Sequence, residues 1–156
     1  MKKKDASYYM SLALKEAEKA VIEDEVPVGA VIVCDEKVIA RAHNQRDGLN
    51  MTYAHAEMLA LTAAFQVRGN WRLVNTRLYV TKEPCPMCAG AIVLARVKTV
   101  VWGVSDPKRG GGTVFGIFDH PGINHHPEIL TGVLENESRA ILQDFFRRRR
   151  KENEAE

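Results

Sequence analysis

Four side chains in this sequence combine the donor types of a metal site with a group that can move protons. His55 and Glu57 stand two residues apart, and Cys85 and Cys88 form a C-x-x-C motif that follows Pro84. Zinc prefers nitrogen and sulfur ligands of this kind, and a catalytic zinc keeps three protein ligands with water in the fourth position. We therefore predict that His55, Cys85 and Cys88 hold one Zn²⁺ per subunit and that Glu57 is the catalytic residue.

The spacing of these residues constrains where such a site can lie. Two cysteines three residues apart can turn both thiolates toward one point at the start of a helix, where the helix dipole stabilises negative charge. His55 and Glu57 are separated by about 200° around an α-helix, so their spacing alone does not place them on one face. Both can reach one site only if it lies beyond the end of the helix.

Other kinds of site fit parts of this pattern. A C-x-x-C motif alone also occurs in structural zinc sites and in redox dithiols, and a single histidine can be a core residue. Cys34 could complete a closed structural site with the three predicted ligands, but that site would leave Glu57 without a role. Cys34 stands in an apolar stretch, where a free buried thiol is ordinary. We therefore favour an open catalytic zinc site.

Helices and strands alternate along the chain after an initial hairpin, and they must position these residues. Apolar periodicity predicts helices over 7–24, 54–67, 87–95 and 136–151, and strands over 30–34, 38–42, 77–81, 99–104 and 129–134. The segment 106–113, with its three consecutive glycines, is predicted to be a flexible loop. This order predicts a single three-layer α/β/α domain over 1–156, with a central mixed five-stranded sheet flanked by helices and a disordered tail at 153–156.

Composition limits the class of protein. The chain has 156 residues, of which 46% are hydrophobic and 27% charged, as in a globular domain with a buried core. A net charge of +2 gives no strong overall field, so any affinity for nucleic acid must come from local patches. The three cysteines are too few for a disulfide framework and indicate a reducing, cytoplasmic location. No apolar stretch approaches the roughly 20 residues that cross a membrane, so we expect no membrane association.

Longer stretches of sequence add a resemblance to a known family. H-x-E followed by P-C-x-x-C is the signature of zinc nucleobase deaminases, including those acting on cytidine, deoxycytidylate and guanine. Beyond this motif the chain resembles the bacterial tRNA-specific adenosine deaminases over nearly its whole length. The matching positions are 26–31, 44, 54–57, 78–81, 83–90, 102–103, 106–108, 120–125, 132–135 and 145–147. The chain departs from the family pattern at Lys82 and at 109–112.

This resemblance implies a fold and a reaction. It implies a cytidine-deaminase-like fold, a homodimer, and hydrolytic conversion of adenosine to inosine at the wobble position of a tRNA anticodon loop. It also implies a catalytic role for Glu57. This residue takes a proton from the attacking water, delivers it to N1 of adenine and later protonates the departing amine.

Candidate substrate contacts come from the resemblance and from the charge pattern. Val28, Ala54 and Asn44 are expected to form the purine pocket, with Asn44 touching the target nucleotide. The candidates for contact with the anticodon stem-loop lie in two places. They are the basic run 147–151, above all Arg147 and Arg148, and, in or after the glycine-rich segment, Lys108, Arg109, His120, Asn124 and His125. Asn44 could instead be an ordinary turn residue, and a run of charges is often only a solvated helix face.

Three other functions share some of these signals. A deaminase of free guanine or cytidine would use the same zinc chemistry but has no obvious use for the basic closing helix. A non-enzymatic zinc module that binds RNA would need no open coordination position and no Glu57. A thioredoxin-like oxidoreductase would use the C-x-x-C motif but does not require the accompanying His55 and Glu57.

Overall fold

The computed structural model describes residues 4–155, which form a five-stranded sheet with helices on both faces. The helices are α1 (Ala6–Ile22), α2 (Arg46–Leu49), α3 (Ala56–Arg68), α4 (Pro86–Leu94) and α5 (Glu135–Glu154), with a 3-10 turn at Ile117–Asp119. The strands are β1 (Gly29–Cys34), β2 (Lys37–His43), β3 (Thr76–Lys82), β4 (Thr99–Val104) and β5 (Glu128–Thr131). Among these described residues, no helix is both long and apolar enough to cross a membrane.

The sheet is mixed, with the strand order β2-β1-β3-β4-β5. β1 runs antiparallel to β2 and to β3, whereas β3, β4 and β5 run parallel to one another. The turn between β1 and β2 places Asp35 and Glu36 at φ 50° and 63°, the left-handed conformation that suits a two-residue hairpin. The predicted hairpin and mixed five-stranded sheet are confirmed.

Alternation along β1 explains the layering, because successive side chains of a strand point to opposite faces. Val31 and Val33 pack in one cluster with Tyr9 and Met10 of α1. Ala30 and Ile32 pack in the other cluster, which contains the buried faces of α3 and α4. The sheet is therefore covered on both sides, and the predicted three-layer arrangement is confirmed.

The end of the chain differs from the sequence prediction. β5 ends at Thr131 and not at Leu134, because Gly132 and Leu134 turn the chain with φ 79° and 51°. α5 then continues to Glu154, supported by an ion pair between Arg148 and Glu152 one turn apart. Residues 153 and 154, which we expected in a disordered tail, are therefore helical, and residue 156 lies outside the described residues.

One element was missed within the polar segment after β2. The sequence indicates only turns over 44–52, yet Arg46–Leu49 form the short helix α2, which ends at Asn50 in the left-handed conformation with φ 54°. One turn of helix has too little periodicity to be recognised in a polar stretch.

Candidate active site

His55 and Glu57 lie at the N-terminal end of α3, where both side chains reach the candidate site. His55 is the N-cap, with extended backbone angles of φ −75° and ψ 152°, so the 100° per residue of a helix does not apply between it and Glu57. Ser, Thr, Asp and Asn are the usual N-caps because their side chains accept from the first amides. The side chain of His55 makes no such bond, and Asn44 supplies it instead by accepting from the Ala56 N–H at 2.7 Å.

The cysteines meet the site from the start of α4 in the same way. Cys85 is the N-cap with φ −69° and ψ 172°, Pro86 occupies the first turn, and the Cys85 side chain makes no capping bond. Cys88 lies one turn further on and is fully buried. α4 directly follows β3, so both cysteines lie at the carboxyl end of that strand, and a helix N-terminus favours negatively charged thiolates.

The three predicted metal ligands converge with distances that suit zinc. His55 Nδ1 lies 3.6 Å from Cys85 Sγ and 3.5 Å from Cys88 Sγ, and all three ligand atoms lie within 4.8 Å of one another. A tetrahedral ion with bonds of about 2.3 Å to sulfur and about 2.05 Å to nitrogen separates those atoms by about 3.5 Å. The donor set and its spacing therefore fit a zinc ion with three protein ligands.

Cys34 does not join this group. Its thiol lies at the end of β1, where Arg68 donates to it at 3.2 Å. Within residues 4–155, the only cluster of three or more potential metal ligands contains His55, Cys85 and Cys88. The geometry therefore does not support the closed structural site with Cys34, and one coordination position remains for a non-protein ligand.

The thiols and the imidazole form an unequal set. Hydrogen bonding from Cys88 and from His55 lowers the pKa of the Cys85 thiol to about 4. Hydrogen bonding to Cys85, together with burial, raises the pKa of the Cys88 thiol, and the contact with Cys85 also raises the pKa of His55. Negative charge is therefore concentrated on the Cys85 sulfur, beside the buried Cys88 thiol. A divalent cation bound here would stabilise the deprotonated form of both cysteines.

Glu57 lies beside this cluster and is only 4% exposed. Burial raises the pKa of its carboxyl above the usual range, while the positive charge on His55 opposes that shift. A carboxyl whose pKa moves toward neutrality can both accept and return a proton, which an ordinary exposed glutamate does poorly at neutral pH.

A cleft of about 370 Å³ opens above these groups, a size typical of small-molecule sites. Ionisable side chains dominate its walls. Its lining residues are Glu25, Val26, Val28, Asn44, Arg46, Asp47, His55, Glu57, Lys82, Glu83, Cys85, Asp106, Arg109, Phe146 and Arg149.

Of the three residues predicted for the purine pocket, two line the cleft. Val28 and Asn44 do so, and both are more than nine-tenths buried. Ala54 does not line it: the residue is fully buried, and its carbonyl accepts from the Gln45 N–H at 3.0 Å. Asn44 is therefore more than a turn residue, because its Oδ1 holds the first amide of α3.

Of the residues predicted to contact RNA, Arg109 lines the cleft, whereas Lys108, His120, Asn124, Arg147 and Arg148 lie outside it. Lys108 is exposed, His120 Nδ1 accepts from the Gly122 N–H, and Asn124 accepts from Arg96. Arg147 pairs with Asp144 and lines a separate groove on α5, and Arg148 pairs with Asp24 and Glu152. All five can contact only the part of a long substrate that extends beyond the cleft.

Arg149 and Phe146 are the α5 residues that line the cleft. Arg149 was predicted only as a member of the basic run 147–151, and Arg147 and Arg148 were preferred to it. The signal for Arg149 was present in the helix periodicity. Ser138, Leu142 and Phe145 are the buried residues of this helix, and Arg149 follows Phe145 by four positions, on the same face. Its guanidinium lies 4.9 Å from the centre of the Phe145 ring and donates to the Asp24 carbonyl at 2.7 Å.

Comparison with known proteins gives consistent matches over most of the chain. The family model described as MafB19-like deaminase matches residues 4–150. The chain is 50% identical over 148 residues to the tRNA-specific adenosine deaminase of Bacillus subtilis (strain 168), covering 94% of this chain and 92% of that protein. It is 45% identical over 152 residues to the tRNA-specific adenosine deaminase of Streptococcus pyogenes serotype M18 (strain MGAS8232), covering 96% of each.

A solved structure agrees with these sequence matches. It comes from a study of A-to-I editing by tRNA:A34 deaminases at the wobble position of transfer RNA. It superposes on this chain with a TM-score of 0.85 and 44% identity, covering 87% of this chain and 99% of that one.

Proposed function

Because the chain belongs to the family of tRNA-specific adenosine deaminases, we propose that it converts adenosine to inosine at the wobble position of a tRNA anticodon loop. The observation that carries this proposal is the convergence of His55, Cys85 and Cys88 beside the buried Glu57, in a chain that matches these relatives over more than nine-tenths of its length. Water adds to C6 of the base, the bond from C6 to the exocyclic nitrogen breaks, and ammonia leaves.

The cofactor that this reaction needs is one Zn²⁺ per subunit, held by His55 Nδ1 and the two cysteine sulfurs. Their distances of 3.5 and 3.6 Å support this choice, since they match a tetrahedral zinc. When bound there, zinc makes a water molecule acidic enough to act as the nucleophile near neutral pH.

Glu57 moves the protons. It accepts one from the attacking water and delivers it to N1 of adenine, then takes the remaining proton from the new hydroxyl on C6 and delivers it to the departing amine. Its burial supports this role, because the raised pKa of the carboxyl lets it alternate between the charged and protonated forms. It is not needed as a ligand, since three donors already converge without it.

Val28 and Asn44 hold the base. Val28 offers an apolar wall. The Asn44 Oδ1 accepts a hydrogen bond from the Ala56 N–H, which leaves the Asn44 NH₂ group as the donor for the nucleotide. A target base inside a folded loop must leave its stack to reach this depth, which favours single-stranded loops over paired RNA.

Arg149 contacts a phosphate of the RNA backbone at the mouth of the cleft. We expect Arg149→Ala to raise the dissociation constant of an anticodon stem-loop several-fold, and to reduce the slope of log affinity against log salt by about 0.7 to 0.9. Fluorescence anisotropy at several salt concentrations measures both quantities.

The matched control for Arg149 is Arg72→Ala. Arg72 lies in the loop that precedes β3, whereas the cleft lies at the opposite end of that strand. Its variant should bind with wild-type affinity and salt slope. Equal slopes for all three proteins would remove Arg149 from the RNA site.

The reaction itself is tested by nucleoside mass analysis. Purified protein is incubated with an anticodon stem-loop that carries adenosine at the wobble position, and separately with free guanine and with cytidine. We expect inosine from the stem-loop only. Xanthine or uridine as the main product would assign the site to a different deaminase, and no product from protein holding one zinc would favour a structural module that binds RNA.

Three further proposals rest on the sequence: on chain length and element order, on the family resemblance, and on the cysteine content, respectively. They are that residues 1–156 form one deaminase domain, that two copies assemble as a homodimer, and that the enzyme works in the cytoplasm.

A further inference from the structure

Glu83 has no role in the chemistry proposed above, yet the residue is only 3% exposed and lines the cleft. It follows β3 and stands two residues before Cys85. Four hydrogen bonds from one loop converge on it. Oε1 accepts from the Asp106 N–H at 2.9 Å and the Thr113 hydroxyl at 2.6 Å, and Oε2 accepts from the N–H groups of Gly112 at 3.1 Å and Thr113 at 2.7 Å.

The glycine loop, residues 106–113, was predicted to be flexible. Its glycines instead allow the loop backbone to lie close to Glu83 and α4. A Cβ on Gly110 would overlap the Glu83 carboxylate, and a Cβ on Gly111 would lie 2.7 Å from Ala89 Cβ and 2.9 Å from the Pro84 carbonyl. The Gly111 N–H also donates to that carbonyl at 2.8 Å. The glycines therefore allow the loop to pack against the segment that carries the two cysteines.

The other side of the glycine loop lines the cleft. Asp106 and Arg109 both do so, and Asp106 Oδ1 accepts from the N–H groups of Lys108 and Arg109 at 2.9 and 3.0 Å. Burial raises the pKa of the Asp106 carboxyl, but the hydrogen bonds from the Lys108 and Arg109 N–H groups outweigh it and lower the pKa overall. Lys82 also pairs with this carboxylate at 3.2 Å. The orientation of Asp106 and Arg109 at the cleft thus depends on the position of the Asp106 backbone.

We propose that Glu83 is a positioning residue for RNA binding, which fixes the glycine loop so that Asp106 and Arg109 face the cleft at a set distance from the metal ligands. This inference rests on the proposed function for its substrate. It explains why a buried carboxylate with no metal or proton to serve stands next to the C-x-x-C motif. It also assigns a purpose to the segment where the chain departs from the family pattern.

Glu83→Gln tests the inference because an amide cannot accept at both ends. Whichever way the amide is turned, its NH₂ group meets either the Asp106 N–H or the two N–H groups of Gly112 and Thr113. We expect the KM for the stem-loop to rise roughly tenfold, since a buried donor is left without an acceptor, while kcat changes less than about threefold because zinc and Glu57 stay in place. Zinc content should remain that of the wild type.

Amide hydrogen exchange gives a second readout that needs no activity. In the wild type, the amides of Asp106, Gly112 and Thr113 should exchange slowly because each donates to Glu83. In Glu83→Gln, these amides should exchange faster while α3 and α4 keep their protection.

Two glycine variants separate the position of the loop from the charge of Glu83. The added Cβ of Gly110→Ala meets both the Glu83 carboxylate and the Asp106 carbonyl, so it displaces the loop from Glu83 without changing any charge. This variant should reproduce the rise in KM and the faster exchange. Gly90→Ala in α4 is the matched control, because nothing lies within 4 Å of its added Cβ, and it should behave as wild type.

The possible failures are distinguishable. Wild-type protein that makes no inosine refutes the proposed function, while the exchange data still report whether Glu83 holds the loop. If wild type is active and Glu83→Gln keeps the wild-type KM, the positioning role is wrong. It is equally wrong if the variant loses zinc or kcat falls with KM unchanged, since Glu83 would then serve the metal site.

Discussion

Glu57→Gln is expected to lower the rate of inosine formation at saturating stem-loop by roughly a thousandfold, within the range of about 10² to 10⁴ typical of positioned acid–base groups. Gln keeps the size and one oxygen of the side chain but cannot accept and release a proton. Three ligand atoms converge without Glu57, so the variant should bind as much zinc as the wild type. Single-turnover rates together with metal analysis of the same samples measure both effects.

Glu18→Gln provides the matched control for this prediction. Glu18 is exposed on α1, and its substitution makes the same change of charge at a site outside the cleft. Its rate should equal that of the wild type. A Glu57→Gln variant that retains a rate within tenfold of wild type would remove the proton-transfer role, and one that lacks zinc would make Glu57 part of the metal site.

The metal-binding group could be predicted from the sequence because its information is local. The C-x-x-C motif fixes Cys85 and Cys88 on one helical turn, and the prolines mark where that turn begins. The position of His55 relative to Glu57 was the unresolved part. The backbone resolves it: His55 is an extended N-cap, so a spacing of two residues does not turn the side chains to opposite faces of a helix.

The walls of the cleft could not be predicted in the same way, because they depend on elements distant in sequence. Arg149 is oriented by Asp24, 125 positions earlier in the chain. The helix periodicity places Arg149 on the same face as Phe145, but only the docking of α5 brings that face to the cleft. The glycine loop looks flexible by composition. Its conformation depends on Glu83, which lies at the junction between β3 and α4 and is distant from the loop in sequence.

Stability and activity should respond to the metal together. Cys88→Ser is expected to abolish stoichiometric zinc binding and to lower inosine formation by at least about a thousandfold, because the nucleophile depends on the metal. The melting temperature of the wild type should fall on chelation, since zinc stabilises only the folded state and a free concentration of about 1,000 times Kd contributes about 4 kcal/mol. That of Cys88→Ser should not change with chelator. Thermal unfolding with and without chelator, alongside metal analysis, gives the comparison.

Cys34→Ser is the control that makes this result specific to the site. It is the same substitution at the third cysteine, which lies against Arg68 and outside the ligand group. This variant should keep one zinc per chain, wild-type activity and the full response to chelator. If Cys34→Ser loses zinc as Cys88→Ser does, Cys34 is a fourth ligand. The coordination is then closed, no position remains for an activated water, and the catalytic reading of the cluster fails even though the protein binds zinc.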